Sequence, residues 1–200
     1  MVAYTVGERG DWPRAGELFA ESARRFDELG DGHYARRARR SVAWTHLERG
    51  DLTGARAVHE GNLRAARAAS DTYMEAVALA GLIDITLDEG RLDDVLPMLR
   101  QSLQIFRAHR DLLWIAASVT RFARVLALSG RPELAAQIFS SAAAQLTEMG
   151  GSPQWLTRRN EGTLADLRAQ LGKAAFDEAW EQGQALTADE AIAIALGALD

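Results

Sequence analysis

Segments with the hydrophobic periodicity of helices alternate along this chain with short polar breaks, and no alternating run typical of a strand occurs. The breaks recur every 40 residues. One set is a Gly-polar-apolar turn at Gly10, Gly50, Gly90 and Gly130, and a second set lies between them, at Gly30, Ser70, Arg110 and Gly150. Because glycine adopts the left-handed conformation at a helix C-terminus without strain, these breaks predict helix ends.

The period predicts two classes of helix. Second helices are expected at about 12–29, 52–69, 92–109 and 132–149, and first helices at about 33–49, 73–89, 113–129 and 154–171. Equivalent positions form columns across the repeats. Ala15, Ala55, Val95 and Ala135 form a small column that allows close helix approach, while Leu18, Val58, Met98 and Ile138 form a column of expected core residues.

The turn glycine, the small residue five positions later and the large residue nine positions later resemble the tetratricopeptide (TPR) consensus. The large position holds Phe19, Leu99 and Phe139, whereas His59 departs from the pattern. The usual unit has about 34 residues, and a unit of 40 resembles the long-helix variant found in bacterial signal-transduction regulators. The resemblance implies an all-α fold, a right-handed α-solenoid of about four TPR-like helix-turn-helix repeats, with first helices lining a concave face.

The expected organisation is a repeat array over residues 1–171 followed by C-terminal capping helices over 172–200. The units are roughly 1–30, 31–70, 71–110 and 111–150, with a last first helix at 153–171. Residues 1–9 supply only part of a first helix, which suggests either a fragment of a longer protein or a naturally short helix. The capping helices, near 173–183 and 187–199, are expected to bury Phe176, Trp180, Ile192 and Leu196 against the last repeat. Thr187 and Glu190 form a capping-box pattern.

The tail provides a second resemblance. Ala175, Phe176, Ala179, Trp180 and Gly183 form an Ala-Phe-x-x-Ala-Trp-x-x-Gly segment, which a Leu-Thr-x-x-Glu-Ala helix follows. This tail resembles the C-terminal end of large actinobacterial regulators that join a LuxR-type, bacterial-activator or adenylate-cyclase-like domain to a STAND-class NTPase and a TPR array. The resemblance implies a sensor or partner-binding region of a transcriptional regulator, with the DNA-binding and nucleotide-binding parts outside these residues.

Composition narrows the function classes. The net charge of −5 argues against direct nucleic-acid binding, although residues 1–70 have 12 Lys/Arg against 10 Asp/Glu and are mildly basic. The absence of cysteine excludes disulfides and thiol chemistry. No apolar stretch is long enough to span a membrane, and no signal-peptide pattern is present, so a cytoplasmic location without membrane association is expected.

Candidate catalytic and metal-binding residues are sparse. His33, His46, His59 and His109 lie on different segments, without the spacing of a two-ligand metal motif. The Gly-rich segment at 150–153 lacks phosphate-binding spacing. Acidic pairs near Gly90 are explained by helix capping. The sequence therefore predicts a protein that is not an enzyme and has no cofactor or metal.

Two patterns suggest binding residues. Arginines at positions 36, 37, 39 and 40 form either a solvated face partnered by nearby acids or a docking patch for an acidic partner. Trp44, Asp84 and Arg124 occupy one column of three first helices. This column either lines a binding groove, with Trp44 as anchor, or forms an inter-repeat salt bridge beside a packed tryptophan.

The predicted function is non-catalytic binding on the concave face of the first helices. The candidate contacts are Arg37, Arg40, Trp44, Asp84, Asp88, Thr120 and Arg124. Asp84 and Arg124 are expected at the surface, within reach of each other. The expected partner is a peptide or protein, including other domains of the parent regulator; the alternative is a small-molecule effector held in the groove. A long open groove favours the first hypothesis, and a pocket with convergent polar groups favours the second.

Overall fold

The structure is a computed structural model that describes residues 2–199, where every regular element is an α-helix. The predicted all-α class is confirmed. The helices are α1 (Val2–Glu8), α2 (Trp12–Glu28), α3 (Gly32–Glu48), α4 (Leu52–Ala68), α5 (Thr72–Asp88), α6 (Leu92–Ala108), α7 (Leu112–Leu128), α8 (Pro132–Glu148), α9 (Gln154–Gln184) and α10 (Ala188–Leu199). No helix among these combines the length and apolar character that crossing a bilayer requires.

Helix spacing follows the 40-residue period. The helices α2, α4, α6 and α8 begin at residues 12, 52, 92 and 132, and α3, α5 and α7 begin at 32, 72 and 112; all seven have 17 residues. The predicted positions of these seven helices are therefore confirmed, with ends that differ by at most one residue.

Adjacent turn residues end one helix and begin the next. Gly50 has φ 73°, and the amide of Asp51 donates to the carbonyl of His46, which closes the end of α3. The Asp51 side chain then accepts from the Gly54 amide and caps α4. Asp11, Asp31, Asp71 and Asp111 accept from the amide three residues later in the same way. These local hydrogen bonds explain why the helix ends can be read from sequence.

Two turns have a side chain where the others have glycine. Ser70 (φ 53°) and Arg110 (φ 54°) adopt the left-handed conformation that Gly30 and Gly150 adopt at equivalent positions. A side chain there experiences steric strain with the backbone, which costs on the order of 1 kcal/mol. Ser70 and Arg110 share this strain but differ in their surroundings. A substitution at Ser70 can therefore serve as the control for the same substitution at Arg110.

Contacts divide the chain into two compact units, an N-terminal unit ending at Ile85 and a C-terminal unit beginning at Thr86. In the N-terminal unit, α2 packs on α1 and α3, and α3 packs on α4. The small positions Ala15 and Ala55 are fully buried, as predicted. The column of Leu18 and Val58 is only half-buried, so its expected place in the core is wrong in this unit.

In the C-terminal unit, α7 packs on α6, α8, α9 and α10, and every residue from Ala116 to Leu126 is buried. Phe106 stacks on Trp114 at a ring-centroid distance of 5.1 Å, and the ring of Trp155, in the first turn of α9, lies 5.4 Å from that of Trp114. Ile138 is fully buried on α8, whereas Met98, its counterpart on α6, is half-buried. The core of this unit therefore centres on α7 and α8.

The C-terminal segment, residues 172–199, lies against α8. Gly172, with φ 70°, interrupts α9 at the predicted break. Farther along, Gly183 packs so closely on the main chain of Gln137 that a Cβ would overlap it. Ser140 Oγ donates to the Trp180 carbonyl at 2.5 Å, and Ser141 Oγ donates to the Leu186 carbonyl at 2.9 Å. These contacts attach the C-terminal segment to the main chain of α8 and to two serine hydroxyls of that helix.

Burial of the predicted capping residues is mixed. Phe176 and Ile192 are buried, as predicted, whereas Trp180 and Leu196 are half-buried. The Glu190 amide donates to Thr187 Oγ1, and the Thr187 amide donates to the Glu190 carboxylate, which confirms the capping box. The hydrogen bonds that the Thr187 amide and hydroxyl donate to the Glu190 carboxylate lower the pKa of Glu190.

Candidate functional site

The predicted binding residues lie on three first helices: Arg37, Arg40 and Trp44 on α3, Asp84 and Asp88 on α5, and Thr120 and Arg124 on α7. Four of them belong to the N-terminal unit, and Asp88, Thr120 and Arg124 belong to the C-terminal unit. Each group is therefore considered within its own unit.

Trp44 is part of an aromatic cluster in the N-terminal unit. Its ring lies 4.8 Å from that of Trp12, edge to face, and 5.6 Å from that of Tyr4. Its Nε1 donates to Glu48 at 2.9 Å. Gly7 allows this packing, since a Cβ there would meet the Trp12 ring at 2.5 Å. Trp44 is half-buried, and its ring joins α1 and α2 to α3, as in the alternative of a packed tryptophan. A binding role for Trp44 stays a prediction.

The arginine run on α3 divides into paired and solvated side chains. Arg39 pairs with Asp27, one of the acids expected from the sequence. Arg36 is buried and pairs with Asp71 at 2.6 Å, a contact that the sequence analysis did not identify. Arg37 is exposed, with its guanidinium 5.4 Å from the Tyr34 ring centroid. Arg40 is half-buried. A binding role for Arg37 and Arg40 stays a prediction.

Asp71 anchors the polar contacts of this unit. It accepts hydrogen bonds from Arg36, from the Met74 amide and from His33, whose Nδ1 lies 2.9 Å away. Burial raises the pKa of this carboxyl, but the three hydrogen bonds outweigh burial and hold the pKa below its ordinary value. The arrangement caps α5 and ties it to α3, which is a structural role.

Surface exposure, expected for the column on α5 and α7, is wrong. Asp84 is 7% exposed, Thr120 is 3% exposed and Arg124 is 6% exposed. Both helices are themselves predominantly apolar, and a helix that is hydrophobic on all sides is buried. These polar side chains therefore lie among packed neighbours rather than on an open groove wall.

Asp88, the last residue of α5, contacts α7 and α9 within the C-terminal unit. Its Oδ1 accepts from Arg124 Nη2 on α7 at 2.7 Å, and its Oδ2 accepts from Arg159 Nη1 on α9 at 2.6 Å. The Asp88 side chain is 26% exposed, so solvent screens the pairs only in part. The predicted pairing of Arg124 with Asp84 stays a prediction. The sequence did not point to Arg159, because the candidate binding residues were taken only from α3, α5 and α7.

An open cleft of about 1,120 Å³ lies in this unit, and we call it the C-terminal cleft. It lies between the end of α6, the start of α7, the end of α8, the segment joining α9 to α10, and α10 itself. Its apolar lining comprises Leu112, Ile115, Met149, Ile192 and Leu196. Leu112 is 62% exposed and Met149 is also exposed, so part of this apolar surface faces solvent.

Charged side chains line the same cleft. Arg107, Arg110, Glu148 and Asp189 are all exposed there. Arg107 pairs with Asp189, but both side chains are largely in solvent, so this pair contributes only about 0–1 kcal/mol. The cleft thus combines an apolar surface with charges of both signs. No sequence pattern indicated that these residues lie in one cleft, because they come from segments far apart in the chain.

Residues 2–199 contain no group of three or more His, Asp or Glu side chains placed to hold a metal ion. His46 pairs with Asp51 at 2.8 Å, and His33 pairs with Asp71. The pKa of Asp51 is lowered, first by the hydrogen bond from the Gly54 amide and then by that from His46. These histidines therefore serve turn and cap contacts.

Comparison of this sequence and structure with protein-family models, with curated proteins and with solved structures finds no match.

Proposed function

We propose that this chain is a non-catalytic binding domain, and that the C-terminal cleft binds a peptide or a segment of another protein. The observation behind this proposal is the exposed apolar lining of the cleft, with Leu112 and Met149 facing solvent. Exposed apolar surface bordered by polar groups is typical of interaction sites. The proposed site differs from the first-helix face expected from sequence, since Asp84, Thr120 and Arg124 are buried.

The size of the cleft favours a peptide over a metabolite. Small-molecule sites typically measure about 300–1,000 Å³ and enclose most of the ligand surface. The C-terminal cleft, at about 1,120 Å³, lies above that range and opens to solvent. An extended or helical segment that inserts a few apolar side chains fits such a groove better. The small-molecule alternative would need a more enclosed site than this cleft provides.

The broader setting is also a proposal. The 40-residue helix spacing and the glycine turns support a TPR-like solenoid. The tail residues support membership of a larger transcriptional regulator. The structure gives part of that tail pattern a packing role, since Phe176, Ala179 and Gly183 are buried. A pattern that is needed for packing is weaker support for one family of regulators.

Selection from a displayed library of random short peptides, with the full chain as bait, tests the binding proposal. Leu112→Gln should weaken binding of the selected peptides by about tenfold, because it removes a leucine from the buried contact. Leu128→Gln is the matched control: Leu128 is the last residue of α7, is 52% exposed and lies outside the cleft. Failure to select any peptide, or equal binding by both variants, would contradict the proposal.

A further inference from the structure

Arg110 combines a strained backbone with a position in the C-terminal cleft. It is one of two non-glycine residues with positive φ among the described residues, and six equivalent turn positions hold glycine. Glycine at this position would relieve the strain. Residues kept in strained conformations cluster at binding and catalytic sites. The side chain of Arg110 is therefore a candidate for a role that glycine cannot fill.

The guanidinium of Arg110 is available for a partner. It is exposed and makes no hydrogen bond or ion pair with other described residues. Arg107, one turn earlier, is already paired with Asp189. The apolar lining, including Leu112 and Met149, lies in the same cleft. A peptide seated there would place apolar side chains on the lining and other groups near Arg110.

We propose that the C-terminal cleft selects peptides in which an acidic residue flanks the apolar side chains, and that Arg110 binds this carboxylate. This inference rests on the proposed function. A guanidinium matches a carboxylate in charge and in its planar, two-donor geometry. A phosphorylated residue fits less well, because Glu148 and Asp189 line the same cleft and repel a dianion more strongly than a monoanion.

Substitution by glycine separates binding from folding. Arg110→Gly should raise the urea midpoint of unfolding, since it relieves the left-handed strain, and Ser70→Gly should do the same at the matched turn. The two variants should differ in binding. Arg110→Gly should lower the affinity of the chain for acidic peptides from the random library by about two- to fivefold, and Ser70→Gly should leave this affinity unchanged.

Ionic strength provides a second readout. Association of acidic peptides with the unaltered chain should slow as salt rises, because an exposed charge accelerates encounter. Arg110→Gly should reduce this salt dependence. In a selection on Arg110→Glu, the acidic residue should disappear from the enriched peptides and a basic residue should replace it.

Outcomes separate this inference from the proposed function. If the selected peptides lose affinity with Leu112→Gln but not with Arg110→Gly, the carboxylate assignment is wrong and the cleft still binds peptides. Tighter binding of a synthetic phosphorylated peptide than of the same peptide with an acidic residue at that position would also overturn the carboxylate assignment. If no selected peptide is sensitive to Leu112→Gln, both proposals are wrong.

Discussion

Asp111 and Arg131 occupy equivalent positions before α7 and α8, but only Asp111 caps the helix that it precedes. The Asp111 carboxylate accepts from the Trp114 amide at 3.1 Å, whereas Arg131 has no side-chain cap. Arg131→Asp should therefore stabilise the chain by about 1 kcal/mol in urea unfolding, since it adds the missing acceptor. Asp111→Ala should cost a similar amount. An unchanged unfolding midpoint for Arg131→Asp would show that α8 does not depend on its N-cap.

Asp71 makes the free energy of unfolding of the N-terminal unit depend on pH. Its pKa is lowered in the folded chain, so its contribution is present above the unfolded-state pKa of about 3.9 and is lost as pH falls through the folded-state pKa. Urea unfolding should show stability falling as pH drops below about 4. Asp71→Asn should lower stability at neutral pH and flatten this decline. An equally steep acid decline in Asp71→Asn would assign it to other carboxylates.

Single residues differ in how far sequence determines their role. The capping acids and turn glycines could be predicted, because their hydrogen bonds reach only three to five positions along the chain. Trp44 could not be placed from its column, because its neighbours Tyr4 and Trp12 lie on other helices. Asp84 and Arg124 were expected at the surface because a TPR-like arrangement places their column on the groove wall, but both are buried on predominantly apolar helices.

At the scale of helix pairs, a residue that departs from the repeat pattern on one helix can be matched by an unusual residue on the helix that packs against it. His59 replaces the large apolar residue that Phe19, Leu99 and Phe139 supply at equivalent positions. It is buried, and its ring fills the space beside Gly81 on α5. The sequence revealed the departure at His59, but only packing reveals the glycine that accommodates it.

The sign of the effect of Gly81→Ala should depend on His59. In the unaltered chain the new methyl group overlaps the buried imidazole, so we expect a loss of about 1–3 kcal/mol. With His59→Ala the space is vacant, and Gly81→Ala should instead stabilise by up to about 1 kcal/mol through helix propensity. A double-mutant cycle in urea measures this coupling. Additive effects would mean that His59 moves aside without cost.

At the scale of the whole chain, the least predictable feature is what the C-terminal segment packs on. A signal exists on α8: Ser140 is small where the equivalent positions on α4 and α6 hold Glu60 and Arg100, both exposed. Small polar residues there allow the main chain near Trp180 to approach. The repeat pattern fixed the order of the helices, but the C-terminal cleft depends on segments separated by many residues and could not be predicted.

Attachment of the C-terminal segment should depend on Gly183. A Cβ at this position would overlap the main chain of Gln137, which cannot rotate away as a side chain does. Gly183→Ala should therefore displace the end of α9 and cost about 1–3 kcal/mol in urea unfolding. Amide hydrogens of α10 should exchange faster, because α10 packs on α7 and α8 beyond this contact.

Gly162→Ala is the control, since Gly162 lies on the same helix with no atom within 4 Å of its Cβ position. It should stabilise the chain by about 0.5–1 kcal/mol. If both variants stabilise the chain and leave exchange in α10 unchanged, the close approach at Gly183 does not hold the segment in place.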